Sequence, residues 1–290
     1  MSLSKTLQSP DILSTVVGKS FDEMKDILMV AGSRYYAENP QESETIRQNL
    51  ASFGLPSDAD TVKLVQEHII IHYVEKLVPV SRTPEQLADF IEKRIDFSQA
   101  RELIANALQK GSVLIAVPHF GGVECIVTTL AYLKFTISPV LKFTTQKFSE
   151  KLRFAAELTE NSGLFAPIKF IELGRPGEKS VSLMAGVLGK KEILFTAFDE
   201  ETPHSKPVKL FNRSVLGGAG VDRLIKLAGG KVSVFNAFMI REGGNLRLQL
   251  LPVDINGENP IQQMYENLQS VLEKHFEQWY FLHEEIPFAD

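Results

Sequence analysis

The feature that most constrains the fold is a regular alternation of short β-rich segments with helical segments after Gly111. These segments follow one another in the order SVLIAV, ECIVTTLAYLK, ISPVLKF, KFSEKLRFAAELTENSG, PIKFIEL, EKSVSLMAGVLGKK, EILFTAF, VDRLIKLAGG, KVSVFNAFMI and LRLQLLPV. Strands that alternate with helices of this length are typical of a mainly parallel central sheet flanked by helices. The sequence therefore predicts an α/β fold, and ligand sites in such sheets form where strands end.

The first part of the chain has a different pattern. From about residue 11 its apolar positions recur at helical spacing, with breaks at NPQ, GLPSDAD and VSRTPEQ. We therefore expect one domain over residues 1–290, with a helical N-terminal layer over 1–110 and an α/β part over 111–290.

Composition and charge exclude several classes of protein. The chain has 31 Lys and Arg against 36 Asp and Glu, a net charge of -5, and no basic block of the kind that binds nucleic acid. Its single cysteine fits a reducing compartment. The sequence shows no secretory signal and no apolar run long enough to span a bilayer. We expect a soluble, cytoplasmic protein whose contact with membranes is at most peripheral.

The stretch VLIAVPHFGGVE carries the first candidate site. His119 follows a predicted strand, and Glu124 opens a predicted helix after Gly121 and Gly122. A turn between them can bring the Glu124 carboxylate to the imidazole, so that His119 acts as a general base and Glu124 orients it. The same spacing also fits a solvent-facing histidine and a glutamate favoured by the first turn of a helix. Spacing alone leaves both interpretations open.

Other residues have weaker patterns. His68 and His72 lie four apart on one helix face, but their order differs from the His-Glu-x-x-His zinc motif, which favours structural histidines. Cys125 is adjacent to Glu124 and so points about 100° away from it along a helix, which favours a buried thiol over a nucleophile. We therefore predict no metal site.

An acidic loop follows another predicted strand, EILFTAF. It contains Asp199, Glu200 and Glu201, which fit either a substrate-facing loop or a solvated turn. The GGAG segment at 217–220 lacks the residues of a phosphate-binding loop, and a helix start is the better interpretation.

Several ordered blocks resemble one protein family. HFGGVE matches the pattern of His, four residues, then Asp or Glu. The segments ETIRQNLASFG and LIANALQKGSVLIAV precede it in family order, and GKKEILFTAFDEE, VKLFNRSVLGGAGVDRLIKLAGGKV and FEQWYFLHEE follow it. From about residue 34 onward, the sequence resembles the bacterial lipid A late acyltransferases of the lauroyl/myristoyl type, within the lysophospholipid acyltransferase superfamily. The resemblance implies a glycerol-3-phosphate acyltransferase-like fold.

The resemblance also implies a reaction, the transfer of a fatty acyl chain from an acyl carrier protein or coenzyme A thioester to a hydroxyl or amine. His119 would deprotonate the acceptor, Glu124 would orient the imidazole, and no acyl-enzyme or further cofactor would be needed. The amides near Gly121 and Gly122 would stabilise the oxyanion.

The resemblance implies roles for further side chains as well. The acidic loop with Asp199, Glu200 and Glu201 corresponds to an Asp-Gln-Asp type loop of the family, and Asp199 and Glu200 would be substrate-binding residues. Arg175 and Arg223 are candidate contacts for an anionic group.

Three features depart from the family pattern. The family usually begins with a membrane-anchoring helix, which this sequence lacks; it often has Asn-Trp where Gly122 and Val123 stand; and its final Arg is Glu284 here. With the net charge of -5, these differences favour a small-molecule or carrier-bound biosynthetic intermediate of a lipid or secondary-metabolite pathway over an anionic glycolipid acceptor. Two alternatives remain, a non-catalytic acyl-chain or lipid binder on the same scaffold and a thioesterase.

Overall fold

The computed structural model describes residues 2–142, 146–174, 180–202, 205–218 and 220–289. The fold is α/β, with a mainly parallel seven-stranded sheet flanked by helices, as the alternating sequence pattern predicts. The candidate residue Arg175 lies outside the described residues.

The N-terminal part is helical up to Lys110, apart from one short strand. Its helices are α1 (Leu3–Leu7), α2 (Pro10–Val16), α3 (Phe21–Glu38), α4 (Pro40–Ser52), α5 (Ala59–Ser81), α6 (Pro84–Arg94) and α7 (Ser98–Lys110). Capping boxes fix the starts of α3, at Ser20 and Glu23, and of α6, at Thr83 and Gln86. The strand β1 (Ile95–Asp96) corrects the expectation of an all-helical segment, because it pairs with the last strand of the sheet.

The α/β part supplies the rest of the sheet. Its strands are β2 (Ser112–Val117), β3 (Ile137–Leu141), β4 (Ile171–Glu172), β5 (Ile193–Ala197), β6 (Lys206–Leu210), β7 (Arg213–Gly217), β8 (Val232–Glu242) and β9 (Asn245–Val253). Its α-helices are α8 (Ile126–Tyr132), α9 (Gln146–Asn161), α10 (Ser180–Leu188), α11 (Gly220–Leu227) and α12 (Pro260–His275), with 3₁₀ helices at Val123–Cys125, Phe276–Gln278 and Tyr280–His283.

The order of strands in the large sheet is β1-β9-β8-β2-β5-β3-β4, and only the β8–β9 pair is antiparallel. The strands β6 and β7 form a separate hairpin, which the sequence pattern does not predict. Strand β2 lies inside the sheet, and all six of its residues are buried. A strand buried on both faces is typically an uninterrupted apolar run, which explains SVLIAV.

The two faces of the sheet belong to separate clusters of buried side chains. Leu114 and Ala116 of β2 pack in a cluster that includes residues of the N-terminal helices, such as Leu28 and Ile69. Alternate β2 residues, such as Ile115, pack in the second cluster. The N-terminal helices therefore share a core with the sheet. Among the described helices, none has both the length and the apolar character that a membrane span requires.

The register between β2 and β5 positions the candidate site. Val117 pairs with Ala197 in this parallel ladder, so the residues two positions later, His119 and Asp199, leave the sheet side by side. The ladder continues one step beyond the strands, since the Phe198 amide donates to the Val117 carbonyl over 3.1 Å.

Gly121 is where the turn after β2 approaches β8 most closely. Its φ is 55°, and a Cβ atom there would lie 1.9 Å from the Met239 carbonyl oxygen. Other residues therefore cannot replace this glycine without moving the backbone of β8.

We predict that Gly121→Ala lowers the free energy of unfolding by about 3 kcal/mol or more, because overpacking against backbone adds to the cost of a positive φ. The matched control is Gly163→Ala, which has a φ of 72° and open space around the added Cβ. The control loses only the conformational term of about 1 kcal/mol. Urea denaturation measures both variants, and equal losses would show that the approach to Met239 has no energetic role.

Candidate functional site

His119 is held by one buried carboxylate, that of Asp199. The His119 ring places Nδ1 2.9 Å from Asp199 Oδ1, and the His119 backbone amide donates to Asp199 Oδ2 over 2.8 Å. Trp279 donates a third hydrogen bond, from Nε1 to Asp199 Oδ2 over 3.2 Å. The Asp199 side chain is only 1% exposed. These contacts fix the orientation of the imidazole and leave Nε2 on its other side.

The structure corrects the pairing predicted for Glu124. Its carboxylate lies with α5, where Oε1 is 3.5 Å from His72 Nε2 and 3.7 Å from Lys76 Nζ. The 3₁₀ helix Val123–Cys125 follows directly after the turn and packs against α5, which explains this direction. Asp199 therefore occupies the orienting position that the sequence predicts for Glu124.

A second acidic side chain of the loop reaches the other ring nitrogen. Glu200 Oε1 lies 3.4 Å from His119 Nε2, and its side chain is 59% exposed. The imidazole is thus flanked by a buried carboxylate on Nδ1 and a solvent-exposed one on Nε2. The sequence leaves open whether the acidic loop faces a substrate or is a solvated turn. For Asp199 and Glu200, the contacts with His119 favour the substrate-facing loop.

The charges around His119 control its protonation. Burial lowers the pKa of His119, but the charge and hydrogen bond of Asp199, together with the charges of Glu200 and Glu124, outweigh burial and raise the pKa to about 9. The imidazole is therefore mostly protonated at neutral pH when the cavity holds no other cation.

The C-terminal segment closes the site from the side of β8. The Tyr280 amide donates to the His119 carbonyl over 2.8 Å, and the Phe281 ring centroid lies 5.0 Å from that of His119. Gln278 bridges the chain in both directions, since its Oε1 accepts from the Arg241 amide and its Nε2 donates to the Arg241 carbonyl. The sequence pattern of this segment predicts no role for Gln278 or Trp279.

Behind the turn lies a buried ion pair. The Arg241 guanidinium donates from Nε to Glu75 Oε1 over 2.8 Å and from Nη2 to Glu75 Oε2 over 2.6 Å. The same Nη2 donates to the Gly121 carbonyl over 2.8 Å, and Nη1 lies 3.2 Å from His68 Nδ1. This network ties helix α5 and strand β8 to the turn that carries His119.

The two neighbouring histidines of α5 are uncharged parts of this packing. Burial, together with the nearby Arg241, lowers the pKa of His68 to about 3, and burial lowers that of His72 well below its ordinary value. Among the described residues, no group of three or more His, Cys, Asp or Glu side chains could hold a metal ion. Cys125 is buried, and burial raises its pKa well above the ordinary value, which disfavours a thiolate.

The amides of Gly121 and Gly122 are already used. Gly121 donates to the Gln278 carbonyl over 2.9 Å, and Gly122 donates to the Met239 carbonyl over 2.8 Å. The predicted oxyanion role of these amides is therefore wrong for this conformation. The glycines serve the close approach of two chain segments instead.

The His119 ring borders a cavity of about 1010 Å³. Most of its lining is apolar and comes from the sheet and from helices that belong to both clusters of buried side chains, with Val127, Leu152, Phe170, Met184, Phe195 and Leu224 among the lining residues. Glu124 and Glu200 line it together with His119. The candidate Arg223 also lines it, with Lys142 and Lys226, and all three side chains are exposed, so they lie toward the mouth.

Comparisons with known proteins do not add to this description. No family model matches the chain, and a search of curated proteins gives no significant match.

We predict that NMR titration of His119 gives a pKa near 9, and that Asp199→Asn moves it down toward the ordinary value of about 6.5. Because the folded-state pKa is the higher one, the stability from this proton is fully present below about pH 6.5 and declines as pH rises through 9. The contribution of His119 to the free energy of unfolding should fall by about 2 kcal/mol between pH 6.5 and 8.5, and the difference between wild type and Asp199→Asn isolates it.

The other buried histidines act in the opposite direction in this range. His68, His72 and His283 have lowered pKa values, so stability rises slightly as the unfolded chain loses their last protons above pH 6.5. This rise is the same in wild type and Asp199→Asn and cancels in the difference between them. Urea denaturation of wild type and Asp199→Asn at both pH values is the measurement. A wild-type His119 that titrates at or below 6.5 would contradict the charge arrangement.

Proposed function

We propose that the protein is an acyltransferase that moves a fatty acyl chain from an acyl carrier protein or coenzyme A thioester to a nucleophilic acceptor. The observation that carries the proposal is the position of His119, which is oriented by the buried Asp199 and borders a large apolar cavity. A histidine that is oriented through Nδ1, with Nε2 on its other side next to an exposed carboxylate, is arranged as a general base. The order of sequence blocks that resembles the lipid A late acyltransferases supports the same assignment and a glycerol-3-phosphate acyltransferase-like fold.

The reaction uses the chain's own groups in one sequence. Nε2 of neutral His119 takes the proton of the acceptor as the acceptor's nucleophilic atom bonds to the thioester carbon. The tetrahedral intermediate then expels the thiolate, and the carbon–sulfur bond breaks. The proton on Nε2 passes to the departing sulfur, which restores the neutral imidazole. Asp199 keeps its charge throughout and stabilises the imidazolium between the two steps.

The cavity suits the acyl chain of the donor. Its volume of about 1010 Å³ lies at the upper end of the range for small-molecule sites, and its lining is mostly apolar. The exposed cations Lys142, Arg223 and Lys226 at the mouth fit the phosphate groups of coenzyme A or of a carrier's phosphopantetheine arm. As part of the same proposal, we place the activity in the cytoplasm, with a small-molecule or carrier-bound acceptor.

The first test is transfer itself. Wild-type protein incubated with dodecanoyl-coenzyme A or dodecanoyl carrier protein and a panel of alcohols and amines should form acylated product, which mass spectrometry detects. We predict that His119→Ala lowers the rate at least 100-fold, since general base catalysis contributes about 10²–10⁴-fold. Equal rates for wild type and His119→Ala would refute the mechanism.

The same assay separates the alternatives. Free fatty acid released at the same rate with and without acceptor would indicate a thioesterase. Fatty acid that copurifies and exchanges without turnover would indicate a lipid binder.

A pair of variants tests which carboxylate orients the base. We predict that Asp199→Asn lowers kcat by roughly 100-fold to 10,000-fold, because the neutral amide no longer stabilises the imidazolium. Glu124→Gln, which leaves the Asp199 contacts intact, should keep kcat within about tenfold. Steady-state kinetics with one donor and one acceptor measures both. A loss in Glu124→Gln as large as in Asp199→Asn would show that Glu124 orients His119 during catalysis.

A further inference from the structure

Two carboxylates face the cavity beside His119 without being needed to orient it. Asp199 alone holds Nδ1, yet Glu200 Oε1 lies 3.4 Å from Nε2, and Glu124 also lines the cavity. Glu124 is held in place by His72 and Lys76, both of which contact Oε1. Carboxylates that line a mostly apolar cavity are positioned to contact a polar part of a ligand.

The position of Glu200 restricts the chemistry of the acceptor. An acceptor atom that bonds to Nε2 of His119 also lies close to Glu200 Oε1, because these two atoms are only 3.4 Å apart. A hydroxyl group donates one proton, so its oxygen would turn lone pairs toward the second carboxylate. An ammonium group has three N–H donors and no lone pair. It can donate to His119 and Glu200 at once and still has an N–H for a third acceptor of the cavity lining, such as Glu124.

The charge balance at this end of the cavity favours the same ligand. When His119 is neutral, as a base must be, the charges of Asp199, Glu200 and Glu124 act on it, and within the described residues the salt bridge of Lys76 with Glu124 offsets one of them. A cationic ligand compensates part of this excess, whereas a phosphate or carboxylate next to Glu200 would increase it. The exposed cations Lys142 and Arg223 at the mouth of the cavity can then contact the phosphate groups of the thioester donor.

We propose that the acceptor is a primary amine, bound as its ammonium between His119, Glu200 and Glu124, and that the product is an amide. The inference rests on the proposed acyl transfer and adds the class of acceptor to it. Glu200 and Glu124 are then substrate-binding residues.

The protons and bonds balance without a further reactant. The ammonium gives one proton to Nε2 of His119, and the resulting amine forms a carbon–nitrogen bond with the thioester carbon. A second proton leaves the nitrogen through the exposed Glu200 to solvent as the carbon–sulfur bond breaks. The proton on His119 passes to the departing thiolate. The products are a secondary amide, a thiol and one released proton.

The test compares two acceptors of nearly the same shape, 2-phenylethylamine and 2-phenylethanol, with dodecanoyl-coenzyme A as donor at pH 7.5. After subtraction of the rate without enzyme, we expect kcat/KM for the amine to exceed that for the alcohol at least 100-fold. Glu200→Gln should lower kcat/KM for the amine at least tenfold and reduce this preference. The matched control is Glu201→Gln, which removes the same charge from an exposed neighbour that does not line the cavity and should keep the preference.

A binding measurement keeps the two proposals separate. Trp279, the chain's single tryptophan, contacts Asp199, so its fluorescence reports on ligands at the site. We expect 2-phenylethylamine to change this fluorescence with an affinity that falls at least fivefold in both Glu200→Gln and Glu124→Gln.

Each result has one meaning. Ester formed without amide, or an equal loss for both acceptors in Glu200→Gln, would overturn the amine assignment and leave acyl transfer standing. Amine binding that depends on the two carboxylates without any transfer would support the ammonium site and refute the proposed function. Absence of both transfer and carboxylate-dependent binding would overturn both.

Discussion

The site depends on the carboxylate of Asp199. Its two oxygens accept from the His119 amide, face His119 Nδ1 and accept from the Trp279 indole, so one buried side chain joins the ends of two strands to the C-terminal segment. A carboxylate that is 1% exposed is stable only when such donors replace the water it has lost. The position of the imidazole, the charge on it and the packing of Trp279 all follow from satisfying this group. Loss of any one donor would leave part of this buried carboxylate without a hydrogen-bond partner, a cost that the remaining contacts do not remove.

The sequence predicts much of this arrangement, because parallel sheets follow strong rules. Apolar runs identify β2 and β5, and both His119 and Asp199 follow directly after them. What sequence cannot supply is the lateral order of the strands. The pairing of His119 with Asp199 requires β2 and β5 to be neighbours in a defined register, and that is fixed by contacts far apart in the chain. Local spacing instead suggests Glu124, which the turn directs toward α5.

The other features that the sequence does not predict have a common physical cause. Gly121 and Gly122 look like a loop left open for a substrate, yet their amides bond to Gln278 and Met239. Arg241 and Glu75 are far apart in sequence, and each resembles an ordinary charged residue of a strand or helix until the fold buries them together. The sequence around a glycine pair or a single charged residue does not indicate which distant residue it will contact. Such contacts follow from tertiary packing, so they become visible only when the sheet order is known.

The raised pKa of His119 suggests a second role for Glu200 and Glu124, the control of when the base is released. A base with a pKa of about 9 is mostly protonated at neutral pH, which would make the resting site slow. The proton is held there by Asp199, Glu200 and Glu124, and a substrate cation placed against Glu200 and Glu124 would compete with it for the same charges. Binding of an ammonium group would thus lower the pKa of His119 and release the base when the acceptor arrives. A neutral acceptor would not lower the pKa of His119 in this way, because it brings no positive charge to compensate the carboxylates.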